Sequence, residues 1–272
     1  MTGVPQQAGS PAHTALTARL RAAGSVFAED EAALILSVAD GDPARLRTFV
    51  TRRVAGEPLE YVLGFVDFAG LRLRVADGVF VPRQRTAFLV ATAASLLVPG
   101  DAVVDLCCGV GAIGAALLQR VGALDLVAAD IDPDAVEVAR ENLGDHASVV
   151  LGDLFEPLPD RLRGRVDVIA VNAPYVPTEA IALLPPEARA YEHRVALDGG
   201  TDGLDLHRRI AGSASEWLRP GGAVVIEVSA AQSDASVAVF TAAGLEARIA
   251  TDDEADATCV VAVRTGLPSV PA

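Results

Sequence analysis

The stretch Asn172-Ala173-Pro174-Tyr175 has the residue types that come closest to a reactive centre. An Asn side-chain oxygen and a nearby backbone carbonyl can together accept both hydrogens of a planar NH2 group. Held that way, the nitrogen lies in line with an electrophile, and catalysis comes from positioning and electrostatics. Tyr175 could stack over the planar amide or base. An Asn-Pro turn that merely closes a strand is the competing reading.

Three further motifs supply contacts for a bound group. In Val104-Asp105-Leu106-Cys107-Cys108-Gly109-Val110-Gly111-Ala112-Ile113-Gly114 an apolar run enters a glycine turn and then a helix, where Gly109 and Gly111 let the backbone approach a ligand. A tight connection with no ligand explains that turn equally well. Asp130 follows about 20 residues beyond the turn, where a carboxylate accepts both ribose hydroxyl hydrogens of a nucleoside. Asp132 reads instead as the N-cap of a helix starting at Pro133. Asp153 could receive an adenine amino group with Leu154 covering the base, or it is a solvated turn residue. Acceptors at three successive strand ends favour a nucleoside cofactor, because open α/β sheets bind ligands at those carboxyl ends.

The elements that must hold these residues are legible in the hydrophobic period. Three short helices are predicted over 13–55, from Leu16, Leu20, Leu34, Ile35, Val38, Leu46, Phe49 and Val50 with breaks near Gly24 and at 41–43. The period shifts toward two in Leu71-Arg72-Leu73-Arg74-Val75, which predicts a hairpin. Beyond residue 100, strands are expected at 102–106, 124–129, 148–151, 166–171, 223–228 and 259–263. Helices are expected near 113–121, 133–143, 204–218 and 231–243. Alternation of this kind is the pattern of a parallel sheet covered by helices.

Composition narrows the function further. The chain of 272 residues carries 22 basic residues, all Arg, against 36 acidic ones. The imbalance is local: 8 basic face 9 acidic up to residue 79, and 14 face 27 beyond it. A half that acidic repels phosphate backbones, so direct nucleic-acid binding is not expected. No apolar run is long enough to span a membrane. Residues 1–12 lack a basic segment ahead of an apolar one and are expected to be a disordered tail rather than a secretory signal. Cys107, Cys108 and Cys259 are odd in number, which fits a reducing, cytoplasmic setting rather than a disulfide framework. His13, His146 and His207 show no ligand spacing, and no metal is expected.

From about residue 52 onward the chain resembles the HemK/PrmC family of S-adenosylmethionine-dependent methyltransferases, which modify the side-chain nitrogen of glutamine in peptide chain release factors. The resemblance rests on Gly56-Glu57-Pro58-Leu59 with Gly64, Val81-Pro82-Arg83, Asp105-Leu106 through Gly109-Val110-Gly111-Ala112-Ile113, Asp130, Asn172 with Pro174-Tyr175, and Ala196-Leu197-Asp198-Gly199-Gly200 with Asp202-Gly203-Leu204. It implies an α/β class I S-adenosylmethionine-dependent methyltransferase, Rossmann-like, with a seven-stranded sheet whose last strand is antiparallel. Residues 83–272 would form that domain, 56–82 a β-hairpin linker and 13–55 a helical substrate-recognition domain. Cofactor contacts would fall on Cys107, Cys108, Gly109, Val110, Gly111, Asp130, Asp153, Leu154 and Asn172. Asn172, Ala173, Pro174 and Tyr175 would hold the glutamine, with Asn172, Pro174 and Tyr175 catalytic, and the product would be N5-methylglutamine.

The chain departs from the family pattern at four places. Ala173 replaces the first Pro of Asn-Pro-Pro-Tyr, which keeps the carbonyl but removes a rigid ring. Pro82-Arg83-Gln84-Arg85-Thr86-Ala87 stands where Pro-Arg-Pro-Asp-Thr-Glu is usual, so two acids become Arg85 and Ala87. Cys107-Cys108 stands where Gly-Thr is common, and thiols there read as small apolar groups. Glu192-His193 replaces Glu-Pro, with His193 expected on the surface. An adenine exocyclic-amine methyltransferase is the second enzyme reading, opposed by the charge. A cofactor-binding module that has lost catalysis is the third.

Overall fold

A computed structural model describes residues 9–266. The chain forms two compact units, one of residues up to 65 joined by Pro185–Tyr191, the other of Val66–Leu184 with the remainder from Glu192.

The first unit is helical: α1 Pro11–Ala22, α2 Ala28–Ala39, α3 Pro43–Val54 and the short α4 Leu59–Leu63. Ser10 caps α1 by accepting from the His13 N–H, and Pro11 occupies the first turn, so the helix starts inside the segment expected as a tail. Of that tail, residues 1–8 lie outside the described residues. Leu16, Leu20, Ile35, Phe49, Val50 and Val62 share one apolar core. Pro185–Tyr191 belongs to this unit although it lies within the stretch expected to be catalytic. Arg53 accounts for that: its guanidinium holds Glu31 at 2.8 and 3.0 Å and reaches Glu187 at 2.8 Å. Such long-range pairing leaves no local signature in sequence.

The second unit opens with a hairpin, β1 Phe65–Phe68 and β2 Leu71–Arg74, shorter than the expected linker. Then follow α5 Thr86–Ala94, β3 Ala102–Leu106, α6 Ala112–Val121, β4 Asp125–Asp130, α7 Pro133–Leu143, β5 Ser148–Leu151 and β6 Val166–Val171. After α8 Pro186–Tyr191, which sits in the first unit, come α9 Asp205–Trp217, β7 Leu218–Glu227, α10 Ser233–Ala242, β8 Glu246–Asp252 and β9 Ala257–Val263. Seven strands lie in the order β5-β4-β3-β6-β7-β9-β8. Pairing is parallel through β7, and β9 then runs antiparallel to β7 and β8.

In the second unit two elements escaped the periodicity, and in the first the short helices α4 and α8 did, α4 lying in the stretch expected as hairpin linker. The helix α5 packs against α6, β7 and β9, and its apolar run TAFLVATAA has no polar face to mark a helical period. The edge strand β8 carries Glu246, Arg248 and Asp252, charges that shield an edge from pairing and hide it from a hydrophobic count. The central parallel strands are buried on both faces, so β3 and β6 read as apolar runs. Chain order reverses between β3 and β6, which places a crevice at their carboxyl ends. No helix among the described residues is long and apolar enough to cross a membrane.

His207 on α9 has no exposed surface, and its Nδ1 lies 2.8 Å from Ser236 Oγ on α10. Burial pushes its pKa down from 6.5 to about 4, with the charge of Arg208 adding to the effect. The unfolded chain therefore takes up this proton before the folded one does. Stability from the neutral ring is complete above pH 6.5 and is lost as pH falls toward 4. We expect His207→Gln to remove about 3 kcal/mol of the acid-induced loss between these limits. Urea unfolding of both proteins at the two ends of that range is the check, and parallel acid limbs would count against it.

Candidate active site

At the end of β3 the chain curls through residues 107–111 with left-handed backbone at Cys107 (φ 54°), Gly109 (φ 54°) and Gly111 (φ 78°). A Cβ on Gly109 would meet nothing within 4 Å, so this backbone faces open space where a ligand can approach. A Cβ on Gly111 would crowd Leu143 at 3.0 Å, so that glycine serves packing of the turn on α7. Cys108 is buried and fastens the curl, donating its N–H to the Ala129 carbonyl and accepting from Gly111. Burial and the nearby Asp105 hold the Cys108 thiol well above its ordinary range, so it is no nucleophile. Cys107 is half-buried, and burial with the neighbouring Asp130 raises its thiol likewise.

Asp130 ends β4, and both of its carboxylate oxygens are engaged. Oδ2 accepts from the Gly109 N–H at 2.8 Å and Oδ1 from the Asp132 N–H at 2.9 Å. Each oxygen keeps a second lone pair. Asp130 thus ties the glycine curl to the tip of β4 and still presents acceptors beside it. Burial raises its pKa, opposed by those two N–H groups. Asp132 caps α7 as expected, with Oδ1 accepting from the Asp134 N–H at 3.0 Å.

Of the other expected cradle residues, Val110 and Leu154 turn their side chains into the core. The carboxylate of Asp153 is already paired with Arg209 at 2.8 Å, so its expected offer to an adenine amine is shared with that arginine.

Beyond β6, Asn172 is half-buried and turns Nδ2 toward Thr86 Oγ1 at 3.4 Å, leaving Oδ1 to accept. Ala173 is buried, so the residue in place of the family's proline sits on the inner side of the loop. The Tyr175 phenol accepts from Arg85 Nη2 at 2.6 Å and lies 3.3 Å from Glu227 Oε1. The strip 197–203 braces this loop. Val176 donates to Leu197, Gly199 donates to Val176, and Gln232 Nε2 donates to the Tyr175 carbonyl at 3.0 Å. A Cβ on Gly199 would lie 2.7 Å from the Pro174 carbonyl oxygen, and one on Gly203 would overlap that of Tyr175. These two glycines are required by close approach. Gly203→Ala should keep the fold and lower turnover about tenfold by displacing the loop, at a strain of about 1–3 kcal/mol. Unchanged turnover with unchanged thermal stability would remove the bracing role.

Several members of this arrangement gave no sequence signal as site residues. Asn142 on α7 donates to both the Arg74 and Val110 carbonyls, at 2.9 and 2.8 Å, joining hairpin and glycine curl. Thr86, Glu227 and Gln232 act from distant elements and could not be found by spacing. Asp105 could have been, as an acid inside an apolar strand. It is fully buried under the curl, accepts from the Gly114 N–H at 2.9 Å, and has Oδ1 without a partner. Burial lifts its carboxyl to about 7. His193 keeps 43% of its side chain exposed, as expected of a surface residue, and in addition its Nδ1 lies 2.7 Å from Asp132 Oδ2 and its ring occupies the space that a Cβ at Gly78 would need.

A seven-stranded sheet with a reversed last strand, a glycine curl on its first parallel strand and an acid on the next define a class I methyltransferase fold. A family model described as methyltransferase small domain matches residues 71–183. Among solved structures, a methyltransferase from Pyrococcus furiosus superposes with a TM-score of 0.56 at 16% identity, over 72% of this chain and 90% of that one. The release factor glutamine methyltransferase of Geobacter sulfurreducens is 39% identical over 204 residues, 74% of this chain and 71% of its own. That of Cereibacter sphaeroides is 36% identical over 251 residues, 89% of this chain and 88% of its own. The chain belongs to the release factor glutamine methyltransferase family.

Proposed function

We propose that this protein transfers a methyl group from S-adenosylmethionine to the side-chain amide nitrogen of a glutamine in a protein, the substrate being a peptide chain release factor. The observation that carries the reading is Asn172: its Nδ2 is engaged by Thr86, so Oδ1 stands as a fixed acceptor for a substrate NH2 group. The family membership supplies the class of substrate.

The cradle suits the cofactor on two counts. Gly109 leaves open space where a side chain would intrude, and the Asp130 carboxylate keeps lone pairs beside it for ribose hydroxyls. Bound there, S-adenosylmethionine supplies a methyl group on a positively charged sulfur. The glycine curl, Asp130 and the backbone near Asp153 would hold it, and Asn172 directly follows β6, the strand paired with β3. On the substrate side, Asn172 Oδ1 and a loop carbonyl accept the two amide hydrogens and orient the nitrogen. Acceptance also raises electron density on that nitrogen and stabilises the charge it develops. The arrangement needs no strong base before attack. Cytoplasmic reaction with a protein partner fits the three free cysteines and the acidic catalytic half.

The test is incubation with methyl-labelled S-adenosylmethionine and a release factor, with parallel protease and nuclease treatment. Label on one glutamine, released by protease, is the expected result. Label released only by nuclease would replace this reading with adenine methylation, and absence of label would favour a cofactor-binding module.

A further inference from the structure

Arg85 occupies a position where the family pattern has an acid, and nothing in the transfer reaction described above uses it. Its surroundings are unusual. Glu227, at the carboxyl end of β7, is 3% exposed, yet its Oε1 has two neighbours at 3.3 Å, Arg85 Nε and Tyr175 Oη. Arg85 Nη2 closes the triangle at 2.6 Å from the same phenol. The other carboxylate oxygen, Oε2, is buried without a partner. The three side chains line a cavity of about 280 Å3 together with Ser229 and Thr258.

We propose that Arg85 is a positioning residue for methyl transfer, clamping the Tyr175 phenol against Glu227 so that the loop 172–175 holds one geometry. This rests on the function proposed above and adds a residue to its substrate side. The physical case has three parts. A carboxylate as buried as Glu227 needs a cation, and Arg85 is the basic side chain in contact with it. A guanidinium is a planar fork that can address two acceptors at once, which an ammonium does less well. Tyr175 is the end of the loop that carries Asn172; the 197–203 strip and Gln232 hold its backbone, while its side chain borders the cavity, so a polar anchor on the hydroxyl restrains the ring. The gain of Arg85 also coincides with the loss of a ring at Ala173: a clamp on Tyr175 offsets the freedom that the missing proline would have removed. The phenol pKa follows the same geometry, raised by burial and by Glu227 and held back by Arg85.

The experiment compares wild type with Arg85→Ala, Arg85→Lys and the double variant Arg85→Ala with Glu227→Gln. Turnover is expressed per cofactor-binding site, so that misfolded protein does not count. Arg85→Ala should lower kcat about tenfold while leaving the Kd for S-adenosylmethionine within about twofold, and Arg85→Lys should recover part of the loss. The double variant removes the uncompensated buried carboxylate, so it should regain thermal stability and stay slow. Recovery of wild-type kcat in the double variant would reduce Arg85 to a structural charge partner and overturn the proposal.

A second readout needs no substrate. The chain has three tyrosines, and subtracting the tyrosinate titration of Tyr175→Phe isolates the Tyr175 phenol. In Arg85→Ala that phenol should ionise at higher pH than in wild type. An unmoved titration would show that the contact is not made and would overturn the clamp. A wild type that methylates no glutamine would instead sink the proposed function, and the titration would still decide on the clamp.

Discussion

Asn172→Ala is expected to lower methyl transfer to glutamine by a factor of about 100 or more, with the fold intact. The substitution removes the Oδ1 acceptor that orients the substrate nitrogen and supports the positive charge it develops. Stability should change little, because the one hydrogen bond lost, to Thr86, is long at 3.4 Å and only half-buried. Thr86→Val offers a graded control. Thr86 is 2% exposed and β-branched, so valine fills the same space and removes only the hydroxyl that turns the Asn172 amide. Its loss of kcat should be smaller, about tenfold or less. Single-turnover assays at saturating cofactor separate this from binding. Near-normal transfer by Asn172→Ala would move the reactive centre elsewhere.

The second large effect lies at Asp130. Asp130→Ala should weaken cofactor binding by about 1.5–3 kcal/mol, the range for hydrogen bonds to a charged group, and isothermal titration reads it directly. Asp130→Asn is the more telling change. Both carboxylate oxygens accept backbone N–H groups, from Gly109 and Asp132, and an amide can present an oxygen to only one of them. Its NH2 then faces an N–H, so the isosteric variant should bind nearly as poorly as the alanine. The carboxylate is needed in its charged form, and burial raises its pKa. Affinity should therefore be full well above that raised pKa and fall as pH drops through it. An asparagine variant with wild-type affinity would assign the ribose contact to another group.

Much of the scaffold is legible in local sequence because its elements obey local rules. The buried parallel strands β3, β4 and β6 are apolar runs bounded by turns. Pro133 with the Asp132 cap starts α7, and glycines mark the curl after β3. These rules place Gly109, Asp130 and Asn172 at strand ends from spacing alone. The family pattern then adds a seventh strand that spacing misses, since β8 is a charged edge.

What tertiary structure decided is which of those residues still have atoms to offer, and who holds them. Asp153 is legible as an acid after a strand, but its pairing with Arg209, 56 positions away, is not. Val110 and Leu154 sit in matching motif positions, and their burial is set by the core packed around them. Glycines at 199 and 203 enter the sequence reading only as part of the family pattern, while the structure needs them because two backbones touch. Arg85 looks like a lost acid until Glu227, 142 positions on, is found beside it. Periodicity and capping are set by neighbours within a few residues, whereas hydrogen-bond partners, burial and close approach are set by which strands the sheet brings side by side.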